Sequence, residues 1–312
     1  MQKEALQIQT EIGDRNGAAI QTGNIGSSLG LQGKLEEALK YYRRSLQIST
    51  EVANRNTAAI AMSNIGAILA LRGDLQQSLK MYRQALDLHR ELGAKFYYAN
   101  DLHDIGDVLR LQGDFGTART NYQDALALRE QAGQKDGTAK ARLALAVLAS
   151  DSGKPIDGAR LALNSLAVFE GVKDAPGQVS AHLVLSRSLR EQGKLSDARA
   201  NLNTAVRLAG KSPYPAIQAE LMLEQAALLI TQRELDAAEK AARSVLTDST
   251  NNGMVRYRLE ASLELGQIQA QRGNATPAQE TLEEVAKTAH RSGFEPIARR
   301  AAALSESLMA AK

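Results

Sequence analysis

Apolar side chains recur along this chain at helical spacing. Ala18, Thr22, Ile25 and Leu29 stand at i, i+4, i+7 and i+11 and share one helix face; Leu35, Leu39, Tyr42 and Leu46 do the same beyond Gly33. Two amphipathic helices joined at a residue tolerant of positive φ make a helical hairpin, with Gly33 at the C-terminus of the first helix. Asp74 and Asp114 follow the equivalent glycines and are predicted to cap the second helices of later hairpins, because a short carboxylate can accept from first-turn N–H groups. Pro155, Pro176, Pro213, Pro215, Pro277 and Pro296 all fall in predicted linkers or first helical turns, so none interrupts a helix.

The hairpin repeats. Asn24-Ile25-Gly26 returns as Asn64-Ile65-Gly66 and as Asp104-Ile105-Gly106, a step of 40 residues. Continued without a gap, that step places Gly33, Gly73, Gly113, Gly153, Gly193, Arg233 and Gly273 in one position. Ala38, Ser78, Ala118, Gly158, Ala198, Ala238 and Ala278 share another, small in all seven units. A further position reads Tyr42, Tyr82 and Tyr122 in units 1 to 3 and Ala162, Leu202, Ala242 and Leu282 in units 4 to 7. The tyrosines repeat at a packing position and are predicted to lie in the core between helices.

The combination of Asn-Ile-Gly, a later glycine, and small-x-x-x-aromatic spacing resembles the tetratricopeptide repeat family over essentially the whole chain. The usual repeat has 34 residues; the longer unit resembles the variant of Pins-type division adaptors, kinesin light chains and bacterial signalling proteins. HEAT and armadillo periods overlap this one, but the paired small residues and the tyrosine at fixed offsets favour the tetratricopeptide reading. The tryptophan often found in the first helix is missing; Thr22, Met62, Leu102, Arg142, His182, Met222 and Ser262 occupy its place. The resemblance implies an all-α, right-handed superhelix, an α-solenoid of about seven helix-turn-helix repeats plus a C-terminal capping helix. The expected division is residues 1–15 as the second helix of a truncated repeat, 16–293 as seven repeats, and 294–312 as the cap, together one domain.

Composition narrows the function. The 312 residues carry 38 Lys+Arg against 35 Asp+Glu, a formal charge of +3, which is no field for nucleic acid. No cysteine is present, which excludes disulfides, Cys-ligated zinc and a Cys nucleophile, and fits a cytoplasmic protein. No apolar stretch reaches the ~20 residues of a membrane span, so no membrane partner is expected. The four histidines, His89, His103, His182 and His290, lie in separate units, so no metal site is expected. Gly23-Asn24-Ile25-Gly26 lies inside a helix and no Gly-Lys-Ser/Thr follows, so it is not a phosphate loop. No catalytic residue, enzyme signature or cofactor is expected.

Stacked hairpins turn their first helices to the concave side. The stripe facing the groove is read as Ile20, Gly23, Asn24, Ser27 and Leu31 in unit 1, as Ile60, Ser63, Asn64, Ala67 and Leu71 in unit 2, and as Asn100, His103, Asp104, Asp107 and Leu111 in unit 3. Unit 5 adds Arg187 and Arg190, and units 6 and 7 add Glu220, Glu224, Glu260 and Glu264. Candidate peptide-binding residues are Asn24, Ser27, Ser63, Asn64, Asn100, His103, Asp104, Asp107, Arg110, Arg187 and Arg190. The family resemblance implies that Asn24 and Asn64 hydrogen-bond the backbone of an extended peptide, a task suited to an amide with one acceptor and two donors. Arg110, Arg187 and Arg190 suit forked contacts to a charged peptide; internal ion pairing between units is the competing reading.

The leading expectation is a non-catalytic scaffold or sensor that binds a protein or peptide in its groove, within a larger regulatory protein. The alternatives are a repeat-based reader of single-stranded RNA and a module that self-associates through the truncated N-terminal repeat.

Overall fold

The computed structural model describes Glu4, Gln7, Gln9 and residues 11–210, 212 and 214–310. The half-hairpin expected over 1–15 rests on Ala5, Leu6 and Ile8, which lie outside the described residues, as does Pro213.

Among the described residues the chain is helical throughout, with no strand. The first helices of the hairpins are α1 (Arg15–Leu31), α3 (Arg55–Leu71), α5 (Lys95–Leu111), α7 (Lys135–Asp151), α9 (Ala175–Glu191), α11 (Pro215–Thr231) and α13 (Val255–Gln271). Their partners are α2 (Leu35–Glu51), α4 (Leu75–Glu91), α6 (Phe115–Gln131), α8 (Pro155–Gly171), α10 (Leu195–Ala209), α12 (Leu235–Asn251) and α14 (Ala275–Arg291), and α15 (Glu295–Ala310) follows. Helix starts advance by 20 residues throughout, half of the 40-residue step.

Turn chemistry sets that pace. Gly33, Gly73 and Gly113 have φ of 77°, 84° and 81°. At the first of these, Lys34 N–H donates back to the Leu29 carbonyl at 3.0 Å, the 6→1 bond that closes a helix C-terminus. Arg233 holds the same place at φ 62°, a conformation costly for a side-chain-bearing residue. Asp114 accepts from Thr117 N–H as expected; Asp74, at ψ 56° against 71° for Asp114, makes no such bond.

Tyr42, Tyr82 and Tyr122 are buried, and the glycine of each Asn/Asp-Ile-Gly triplet is what admits them. A Cβ on Gly26, Gly66 or Gly106 would stand 2.9, 3.0 or 2.6 Å from the ring of Tyr42, Tyr82 or Tyr122. Where the partner is Ala162, Leu202 or Ala242, the first helix carries Ala146, Ser186 or Ala226 instead. The shift from units 1–3 to units 4–6 therefore follows close packing, with volume moved across one helix–helix contact.

The superhelix also meets itself one turn on. Leu39, Tyr42, Ile65 and Leu69 share a core with Leu223, Val245, Met254 and Tyr257. Leu79, Tyr82 and Val108 share another with Leu259, Leu263, Phe294 and Ile297. Along this seam the hairpin turns at Gly33, Gly73 and Gly113 lie against Pro215, Val255 and Pro296, at the starts of α11, α13 and α15. Apolar burial, the main favourable term in folding, thus acts between turns as well as between neighbouring hairpins. Among the described residues no helix is long and apolar enough to cross a membrane, and no cluster of three His, Asp or Glu is arranged for a metal ion.

Candidate functional site: an arginine-lined lumen

The first helices line the inside of the coil. Side chains from α5, α7, α9, α11, α13 and α15 enclose a cavity of about 680 Å³, within the range of about 300–1,000 Å³ that holds small ligands. Its apolar lining includes Val147, Leu183, Val184, Leu223, Leu263, Phe294 and Ile297. Arg110, Arg187, Arg190, Arg256 and Arg300 face Asp151, Glu191, Glu220, Glu224, Glu260 and Glu264 around the same space.

Most of these charges hold one another. Asp151 binds Arg110 through Oδ2 at 2.7 Å and Arg187 through Oδ1 at 2.7 Å, so one carboxylate ties α5, α7 and α9 together. Glu191 takes a second contact from Arg187 at 3.2 Å. Arg190 grips Glu224 with Nε on Oε1 at 3.1 Å and Nη2 on Oε2 at 3.2 Å, a fork joining α9 to α11, and the Ser186 hydroxyl donates to the same Oε1 at 3.0 Å. Arg256 pairs with Glu260 at 3.0 Å, while the Tyr257 hydroxyl donates to Glu220 at 2.9 Å.

Burial shifts the titrations in opposite directions. Desolvation pushes Asp151 up, but Arg187 and Arg110 together outweigh it and hold the carboxyl below its ordinary range. For Glu264, burial reinforced by Glu260 prevails over Arg300 and Arg190, and the carboxyl stands well above the usual glutamate value. Burial, with repulsion from Arg187, lowers Arg300.

Glu264 therefore gives a signed prediction. A carboxyl raised in the folded state stabilises fully below the ordinary glutamate value, and that stability is lost as pH rises toward the raised one. The stability of Glu264→Gln is expected to decline less than that of the parent chain as pH rises from 5 to 9. Urea melts across that range check it, and parallel pH profiles would count against the assignment.

The lumen brings together Arg110, Arg187 and Arg190 of the residues expected from sequence. Asn24, Asn64 and Asp104 hold the register position of Val184, Glu224 and Glu264, which line the cavity. Asn24 is exposed, its amide 3.5 Å from Gln21 Oε1; Asn64 and Asp104 make no side-chain hydrogen bond among the described residues. Burial, reinforced by Asp107 and Asp101, holds Asp104 well above its ordinary value.

The remaining candidates are engaged within the stack. Ser27 donates to the Gly23 carbonyl and accepts from the Tyr42 hydroxyl; Ser63 donates to Asp101 at 2.6 Å. Asn100 accepts from Arg129 at 2.8 Å, and Asp107 accepts from the Tyr122 hydroxyl at 2.6 Å. His103 packs on Tyr122, and burial holds its imidazole below the ordinary value. His89, alone in its unit by sequence, forms a buried pair with Asp101 at 2.5 Å.

Sequence reasoning passed over Asp151, Arg256 and Arg300. Arg300 stands 40 residues beyond Glu260, so the repeat step would have found it in the supposed cap. Arg256 precedes Glu260 by one helical turn. Asp151 is the last residue of α7, where stripe spacing gives no signal.

The fold is similar to that of the Rap conjugation gene regulator of the plasmid pLS20 in complex with a Phr peptide, with TM-score 0.73 and 13% identity over 88% of this chain and 74% of that one. It is similar to the apo form of RapI (TM-score 0.64, 14% identity, 88% and 98% covered). Aspartyl phosphate phosphatase F from Bacillus subtilis is also similar (TM-score 0.65, 13% identity, 92% and 75% covered). At these identities the likeness is one of fold. No curated protein sequence matches the chain. Tetratricopeptide repeat models match residues 16–91, 56–131 and 97–157, then 143–213 and 183–253. With matches running from residue 16 to residue 253 and hairpins in step with the 40-residue period, the chain belongs to the tetratricopeptide repeat family.

Proposed function

We propose that this chain is a non-catalytic scaffold that takes an extended peptide or protein segment into its lumen, as a sensor module of a larger cytoplasmic regulatory protein. In this reading the whole array works as one domain, and α15 closes the lumen as well as capping the last hairpin. The carrying observation is the cavity of about 680 Å³, walled by six successive first helices and lined by both apolar and charged groups. Its guanidinium groups are mostly fixed by ion pairs already, so a ligand meets an ordered surface and loses less entropy on binding.

Asn24 and Asn64 add amides matched to a peptide backbone at a register position that faces the lumen in later units. Among proteins of similar fold, the pLS20 regulator is described with a Phr peptide and another Rap protein with the competence and sporulation factor, which supports the reading by analogy. Six carboxylates around five arginines oppose a polyanion, so single-stranded RNA fits poorly.

Filling the lumen tests this. Val184 is half-buried on its wall, and Val184→Trp would occupy the space without removing a charge. Fluorescence anisotropy with a random-sequence peptide mixture should show binding by the parent chain and at least tenfold weaker binding by Val184→Trp, with unchanged helical circular dichroism. Equal binding by a folded Val184→Trp would remove the lumen from the account.

A further inference from the structure

Four of the five guanidinium groups around the lumen have carboxylate partners; the fifth, Arg300, makes no ion pair among the described residues. It projects from α15 with its side chain open to the lumen, although protein surrounds it. Across from it Glu264, nine-tenths buried, has an Oε2 with no hydrogen-bond partner. A cation without an anion and a buried carboxyl oxygen without a partner border one cavity. Isolated charges and unpaired polar groups are costly in such surroundings, and a ligand that satisfied both would relieve both.

We propose that Arg300 and Glu264 form the anchor for a carboxylate of the bound peptide. This rests on the lumen reading above and adds the ligand's chemical class. A carboxylate meets the guanidinium fork through one or both oxygens, and it also accepts from Glu264 while that side chain keeps its proton. The groups facing Glu264 are Glu260 on its own helix, Arg190 from α9, Glu224 from α11 and Arg300 from α15. Burial and Glu260 oppose its ionisation, so the proton is retained well above the ordinary glutamate range. Ionised Glu264 would repel the ligand, and binding should weaken as pH rises through that raised value. Glu264→Gln keeps a donor without the charge and should flatten this dependence.

The test uses the full chain and three N-acetylated random pentapeptide libraries: acid-free with an amidated end, acid-free with a free C-terminal carboxylate, and amidated with Asp or Glu included. Anisotropy should show binding by one or both carboxylate-bearing libraries, and which of them binds identifies a chain terminus or a side chain as the source. Arg300→Gln should weaken that binding by about tenfold to a hundredfold, the range for losing a charge-assisted hydrogen bond. Arg300→Lys should retain more of it. The melting temperature of Arg300→Gln should not fall, because this guanidinium has no partner to lose. Equal binding by the acid-free amidated library, or unchanged binding by Arg300→Gln, overturns the anchor and leaves the lumen reading standing. If none of the libraries binds, the lumen reading and the anchor fall together.

Discussion

Asp151→Asn is expected to destabilise the protein by about 3–5 kcal/mol, the usual cost of removing one partner from a buried ion pair. Asp151 and Arg110 are each only 11% exposed at the side chain and meet at 2.7 Å, so water cannot replace the lost carboxylate. Arg187 is a third exposed and keeps Glu191 at 3.2 Å, so its share of the loss is smaller. The substitution also turns an amide N–H₂ toward one of the two guanidinium groups. Removing both partners separates the cost of stranding a charge from the worth of the pair. Asp151→Asn with Arg110→Met should recover most of the loss, since apolar replacements for buried ion pairs are often neutral or stabilising.

The acid limb carries the same signature. The folded-state pKa of Asp151 is depressed, so its contribution is complete above the ordinary aspartate value and disappears as pH falls through the lower folded one. Urea unfolding at pH 7 and pH 3 should therefore show the parent and Asp151→Asn converging in acid. A loss below 1 kcal/mol at pH 7 would mean that Asp151 does not hold the concave face together.

The helices and their phase were legible because the determinants are local and repeated. Gly33, Gly73 and Gly113 mark turns that need positive φ, and the apolar faces recur at 3.6-residue spacing. The groove stripe was legible for the same reason: Arg187, Arg190, Glu220 and Glu260 share a helix face, and all four line the lumen. Their pairing was less accessible. Arg190 reaches Glu224 across 34 residues and Arg110 reaches Asp151 across 41, distances fixed by how hairpins stack and not by a motif. Asp151 sits at a helix terminus, outside any stripe, and Arg300 lay in a segment read as a cap. The contact between turns left no sequence signal, because Gly73 already had a sufficient local reason to be glycine.

That double role of Gly73 can be separated by comparing it with Gly193. Both have positive φ, 84° and 75°, and alanine at either position takes on left-handed strain of about 1–2 kcal/mol. Around Gly193 a new Cβ meets nothing within 4 Å. At Gly73 it would stand 3.0 Å from Val255 Cγ1, 3.1 Å from Val255 Cβ and 3.3 Å from Phe294 Cε2, on the next turn of the superhelix. Val255 Cβ is fixed to the backbone of α13 and Phe294 is fully buried, so relief requires the two turns to move apart. Overpacking of this kind adds about 1–3 kcal/mol. Gly73→Ala should therefore lower stability by about 2–5 kcal/mol and Gly193→Ala by about 1–2 kcal/mol, measured from urea midpoints at constant m-value. The excess should be accompanied by faster amide exchange at the starts of α13 and α15, where the seam opens, and not in α9 and α10 beside Gly193. Equal losses for the two variants would mean that contact between the turns contributes nothing to the native state.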